Sequence, residues 1–283
     1  MILSQIVKVD KDVSAVVLYF NDLNIGEALK SIDNQTIKPK EIIIIDDCSN
    51  ISLDEKLLNS RCKIIRNSRN MGRGYSRNLG IKKCKSKFVV FCDSSNSLCE
   101  NFIEKALNSF TNKKISAIFG RISGHEDHTD ICSKWRERNL FLETYPSSEL
   151  PYEVKSLSTY SVILRKSHIL SVGNFSQTLR QFEDHDLGER IIKQGYKILF
   201  DPSLYCISNK RDNIFQLATR FDRWYSPSSE ELNLKSFNNL IKTALSIWAK
   251  RDIQSRELFG VIVSLSLPFI ILFQNLINDH SKN

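Results

Sequence analysis

Hydrophobic and polar positions along the first 120 residues switch between two periods, and each switch marks an element. Residues 13–20 are a continuous apolar run, but for Ser14, rich in β-branched side chains, the pattern of a strand covered on both faces. Residues 24–32 change to a helical period, with Ile25, Ala28, Leu29 and Ile32 on one face. Residues 41–45 repeat the buried-strand pattern and end in Asp46-Asp47, and 63–65 form a shorter strand. A helix over 74–84, a strand over 87–92 ending at Asp93, a helix over 102–110 and a strand over 115–119 follow. This alternation predicts a mostly parallel sheet with right-handed crossovers. Ligands of such sheets bind beyond the strand C-termini, where Asp46, Asp47 and Asp93 stand.

The second half is less regular. Residues 124–148 are polar, with a loop and a helix around 135–142; 158–164 read as a strand, and 186–193 as a helix leading to a strand over 197–200. Residues 212–226 and 234–251 read as helices. Residues 258–277 carry no charge and would make about 30 Å of helix. Lys250, Arg251 and Arg256 precede them, where cytoplasmic flanking charges would be, while Pro268, Ser264, Ser266, Gln274 and Asn275 weaken the apolar pattern. Membrane insertion, spanning or interfacial, is the expectation, and a buried C-terminal helix the alternative.

Composition narrows the partners. With 41% hydrophobic and 25% charged residues the chain is globular rather than disordered. Its net charge of +8 favours an anionic partner. Lys and Arg are scattered and no nucleic-acid-binding signature is present, so a nucleoside diphosphate or an anionic membrane surface fits better than nucleic acid. The seven cysteines include no CxxC pair, and the start lacks a basic-then-apolar leader pattern, which reads as reduced thiols in the cytoplasm.

Five short motifs stand in register. Ala15-Val16-Val17-Leu18-Tyr19-Phe20-Asn21 is an opening strand with a polar end. Ala28-Leu29-Lys30-Ser31-Ile32 leads to Asn34-Gln35-Thr36, and Glu41-Ile42-Ile43-Ile44-Ile45-Asp46-Asp47-Cys48-Ser49 follows. Then come Asn70-Met71-Gly72 with Arg77-Asn78-Leu79-Gly80, and Glu183-Asp184 with Asp186-Leu187 and Arg190. In this order they resemble the family 2 glycosyltransferases of the GT-A fold, over residues 13–208.

The resemblance implies an α/β, Rossmann-like GT-A sheet over residues 1–211, with a nucleotide-binding half over 12–120 and an acceptor-binding half over 121–211. A helical, membrane-associated extension over 212–283 completes the expected organisation. Asp46 and Asp47 would meet the nucleotide base, with Phe20 and Asn21 lining the neighbouring strand end, and Arg77 would help hold the nucleoside and diphosphate. Asp184 would be the base that deprotonates an acceptor hydroxyl, with Glu183 and Asp186 beside it. Asp186-x-x-Glu189 also fits a capping box, which leaves Asp184 the freer carboxylate.

The sequence departs from the family at its cation. Asp93 opens a D-x-D signature whose second acid is Ser95, followed by Asn96, and Ser208 stands where a His is expected after Pro202. With two ligands missing, weak Mg²⁺ or Mn²⁺ dependence is expected, Lys210 and Arg211 neutralising the leaving diphosphate instead. His125-Glu126-Asp127-His128 has the composition of a metal cluster but a loop setting. Trp224 would stack on an acceptor sugar or anchor its helix. The combined expectation is an inverting transferase at the cytoplasmic face of a membrane. It would use a nucleoside-diphosphate sugar, with uridine the expected base, and a saccharide or lipid-linked acceptor of envelope polysaccharide or glycolipid synthesis. A peptide or protein glycosyltransferase and a degenerate nucleotide-sugar-binding protein are the alternatives.

Overall fold

The computed structural model describes residues 11–141, 148–225 and 234–280, with the backbone alone at 223–225, 234 and 278–280. In chain order the elements are β1 (Val13–Tyr19), α1 (Ile25–Asp33), β2 (Ile42–Asp46), β3 (Cys62–Arg66), α2 (Arg73–Lys83), β4 (Phe88–Asp93), β5 (Asn96–Leu98) and α3 (Phe102–Ser109). Then come β6 (Ile115–Gly124), α4 (Ile131–Asn139), β7 (Tyr152–Val154), β8 (Ser161–Arg165), α5 (Lys166–Ser171), α6 (Glu183–Lys193) and β9 (Lys197–Ser208). The last helices are α7 (Ile214–Tyr225), α8 (Leu234–Thr243), α9 (Lys250–Gln254) and α10 (Leu258–His280), with a π-helical stretch at Ala244–Ala249 joining α8 to α9.

The chain divides into two compact units, Met1–Ile122 with Pro146–Asn209, and Ser123–Tyr145 with Lys210–Asn283. The first is built on a nine-stranded sheet of order β3-β2-β1-β4-β8-β6-β9-β5, with β7 paired to β9. The four strands from β3 to β4 are parallel, as the alternating pattern requires. β8 runs antiparallel to β4 and β6, and β9 antiparallel to β5 and β7. The mostly parallel expectation therefore holds for one half of the sheet only. Its apolar runs are read correctly as buried, but such runs look alike in parallel and central antiparallel strands. Pro202 lies inside β9 without breaking it. It falls between the stretch paired with β7 and the stretch paired with β5.

Register aligns the strand ends that matter. Tyr19 of β1 lies opposite Asp46 of β2, and Leu18 opposite Asp93 of β4. Phe20 and Asn21 therefore leave the sheet level with Asp46 and Asp93. The core beneath packs Val13, Ala15 and Val17 of β1 against Ala28, Leu29 and Ile32 of α1 and Phe102, Ile103 and Ala106 of α3.

The second unit is helical. Val263, Leu267 and Ile271 of α10 share a core with Trp135 of α4, Leu217 and Phe221 of α7, and Trp248 of the π-helical stretch. A buried polar chain runs through it. Trp135 donates to the Ser264 hydroxyl at 2.7 Å, and Ser264 donates to Asp252 at 2.6 Å. Asp252 is fully buried and paired with Arg138 at 2.9 Å. Residues 258–277 are thus neither wholly buried nor wholly bare: one face fills this core and the opposite face is exposed. The side chain of Trp224 lies outside the described residues.

Candidate active site

The site is built at the C-terminal ends of β1, β2 and β4 and the start of α6. At the end of β2 the two acids are held by their own surroundings. Asp46 accepts from the Ser49 N–H at 2.8 Å and pairs with Arg66. Asp47 accepts from Asn67 at 2.7 Å, from the Met71 N–H at 2.8 Å and from the Gly72 N–H at 2.9 Å. Asn21, with positive φ, accepts from the Asn50 and Ile51 N–H groups and so fixes the loop after β2. Phe20 is half-exposed at the same rim, an unshielded aromatic face beside the acids.

Glu183 is the centre of the arrangement. It is buried and accepts from Arg77 at 2.6 Å, while the Arg73 Nε approaches the same oxygen at 3.1 Å. Arg77, itself only 2% exposed, also lies 3.8 Å from Asp93 and 5.4 Å from the centre of the Phe175 ring. Arg77 therefore ties the Asp93 end of β4 to the first turn of α6, rather than standing open to a ligand. Arg73 is about half-exposed, and the Arg180 guanidinium occupies space that Gly72 leaves, 3.1 Å from where a Cβ would be. Neither Arg73 nor Arg180 is singled out by the sequence, because their importance comes from a fold that brings residues 73 and 180 together.

The three acids in the first turn of α6 have separate fates. Glu183 is locked between arginines. Asp186 pairs with Arg190 at 2.6 Å, and Arg190 in turn donates to the carbonyls of Val172 and Asn174. The capping box expected at Asp186 and Glu189 does not form. The helix starts three residues earlier, after Phe182 in the left-handed region, so Asp186 lies past the cap. Asp184 accepts from its neighbour's N–H at 3.0 Å and from the Thr159 hydroxyl at 3.2 Å, and has no ion-pair partner among the described residues. All three acids lie in the first turn, where the helix dipole favours negative charge. His185 is exposed on the outer face.

Asp93 lies between these groups. Burial pushes its carboxyl above the ordinary carboxylate value, Arg77 and Arg73 oppose that shift, and Asp184 and Glu183 add to it. Asn96 pairs in register with Ser208, and the Asn209 N–H donates to the Ser95 carbonyl at 2.8 Å. The two positions lacking the expected ligands are therefore next to each other in space. Among the described residues no group of three His, Cys, Asp or Glu could hold a metal, at Asp93 or at the loop of His125 and His128. Of the expected ligand set Asp93 is the one carboxylate left, so a Mg²⁺ or Mn²⁺ held here would rely on the diphosphate and water for its other ligands. Lys210 and Arg211 belong to the helical unit, where the Lys210 carbonyl accepts from Arg136 and Arg211 donates to the Asp127 carbonyl at 2.9 Å.

The family model for glycosyl transferase family 2 matches residues 14–172, more than half of the chain. The chain belongs to that family. An uncharacterized glycosyltransferase of Methanocaldococcus jannaschii is 26% identical over 65% of this chain and 66% of its own length. The O-antigen chain rhamnosyltransferase WbaN of Salmonella anatum is 26% identical over 80% of this chain and 70% of its own. A solved structure, GalNAc-T7 with UDP, GalNAc and Mn²⁺, superposes with a TM-score of 0.58 at 17% identity, covering 89% of this chain and 55% of that one. That likeness shows the GT-A fold for this family 2 chain. The chain spans 66% of the length of the first of these relatives.

Proposed function

We propose that this family 2 protein is an inverting glycosyltransferase taking a sugar from a nucleoside-diphosphate donor, with uridine the expected base, to a saccharide or lipid-linked acceptor. The observation that carries the reading is the division of labour in the first turn of α6. Glu183 is neutralised by buried Arg77, Asp186 is tied to Arg190, and Asp184 alone stands without a counter-charge. Asp184 takes the proton from an acceptor hydroxyl as its oxygen attacks the anomeric carbon. The bond from that carbon to the diphosphate oxygen breaks, and the nucleoside diphosphate leaves with the electron pair from the opposite face. Asp46, Asp47, Phe20 and Asn21 form the rim for the base, and Asp93 faces the ribose side. Within the sheet unit, Arg73 and Arg180 are the cations available to the departing diphosphate.

A divalent cation would be held here by Asp93 and would supply positive charge to the leaving group. Lacking a second acid at Ser95 and a His at Ser208, the site is expected to work without it. The same two serines favour a second reading, a nucleotide-sugar-binding protein that has lost transfer. One experiment separates them: donor consumption and product formation across a panel of nucleoside-diphosphate sugars, in excess EDTA and in added Mn²⁺. Turnover in EDTA supports the metal-independent transferase. Turnover restored only by Mn²⁺ overturns the metal assignment. Binding of UDP by calorimetry without turnover under either condition supports the binding protein. If UDP binds equally to the parent and to Asp93→Ala, the nucleotide site lies elsewhere.

A further inference from the structure

Helix α10 is apolar on both sides, and only one side is used. Val263, Leu267 and Ile271 enter the core of the helical unit. On the opposite side Leu258, Ile262, Leu265, Phe269, Phe273 and Leu276 recur at three- and four-residue spacing and form one continuous stripe. Leu258 is 73% exposed, Ile262 63% and Phe273 58%. A stripe of this length, left to water, marks an interaction surface. The ring of Phe237 on α8 meets Phe269 at 5.8 Å, so the stripe is bordered by structure and is not a frayed end.

The charges around it specify the partner. Over residues 234–277 the basic side chains are Lys235, Lys242, Lys250, Arg251 and Arg256, and the only acids are Asp252 and Glu257. Asp252 is fully buried and paired with Arg138, so it offers no charge to solvent. A second copy of this chain would bring like charges together. An anionic lipid surface complements them. The polar chain through α10 decides how deep the helix goes. Ser264 is held at once by Trp135 and Asp252, and crossing a bilayer would carry that network and the Arg138 pair into hydrocarbon.

We infer that α10 lies in the plane of an anionic bilayer, its outer stripe in the acyl boundary and its inner face still packed in the helical unit, without spanning. The assignment is independent of the catalytic reading. It is tested with the full chain and vesicles of phosphatidylcholine, with and without phosphatidylglycerol. The expected result is co-sedimentation at least ~10-fold stronger with the anionic lipid, falling as salt screens the attraction, and extraction by alkaline carbonate. The double variant Ile262→Glu, Phe273→Glu is expected to lose vesicle binding with an unchanged thermal melt, since both side chains are exposed in the folded protein. Carbonate-resistant insertion would show a spanning helix. Equal binding to neutral vesicles, a variant that binds like the parent, or a parent that stays in solution as a dimer broken by the variant would each overturn the inference.

Discussion

At the scale of single residues, the proposed site rests on unequal surroundings of like groups. Three acids share the first turn of α6, and their neighbours, not their spacing, give each its role. Arg77 and Glu183 form a buried pair whose value is positional. Removing one partner would leave Glu183 with Arg73 alone, or Arg77 with the more distant Asp93, so the cost should fall below the about 3–5 kcal/mol of a fully uncompensated buried charge. Asp184→Asn keeps the size and the contact with Thr159 but removes the proton acceptor. Its turnover is expected to fall at least ~10²-fold with donor affinity little changed, read as a kcat loss without a matching change in calorimetric Kd. Near-normal turnover in this variant would return the role to Glu183 or Asp186. The candidate acids were legible in the sequence because their family positions match. Arg73, Arg180 and Thr159 were not, since no local pattern distinguishes them from solvated side chains.

At the scale of elements, α2 is the piece on which the proposed nucleotide side depends. Its entry at Gly72 supplies an N–H to Asp47, its first residue is Arg73, and its middle carries Arg77. The helix lies so close to the loop after Phe175 that a Cβ on Gly74 would stand 2.0 Å from the Ser176 carbonyl oxygen. Asn78 fastens the same loop, donating to the Phe175 carbonyl at 2.8 Å and accepting from its N–H at 2.9 Å. Backbone cannot yield as a flexible side chain does. Gly74→Ala should therefore cost about 1–3 kcal/mol, as overpacking does, and weaken UDP binding by shifting Arg73 and Gly72. Urea unfolding and calorimetry on the same variant test both effects, and an unaltered midpoint would show that the loop moves freely. The strand and helix order of the first 120 residues follows from periodicity. The extensions of β6 and β9, and the short β5 and β7, do not, because they form by pairing with strands distant in sequence.

At the scale of the whole molecule, each unit carries a buried acid that contributes to stability only when ionised. Burial would raise the Glu41 carboxyl, but the Lys85 N–H, Lys63 and Ser14 together hold it below its ordinary value. In the helical unit burial likewise opposes ionisation of Asp212, and Arg220 and Arg136 outweigh it. For both acids the folded value lies below the unfolded one. Between those values the unfolded chain binds more protons, so stability rises with pH there. The contribution is present at neutral pH and is lost as pH falls from the ordinary carboxylate range, near ~4, through the lowered values. Glu41→Gln should melt below the parent at pH 7 and converge with it in acid. A gap that stays constant with pH would assign the loss to packing instead.

Local period and motif order carry the family, the parallel half of the sheet, and the acids and serines at the strand ends, so these are readable along the chain. Three things emerge only on folding: which acid lacks an ion-pair partner among the described residues, that Ser95 and Ser208 fall side by side, and that α10 divides its apolar surface between a core and the outside. Each of these depends on groups far apart in the chain: Arg77 with Glu183, Asn96 with Ser208, Trp135 with Ser264. An uncharged helix reads the same whether its partner is protein or lipid. Burial of one face, and a hydroxyl pinned inside it, show which side of α10 meets protein.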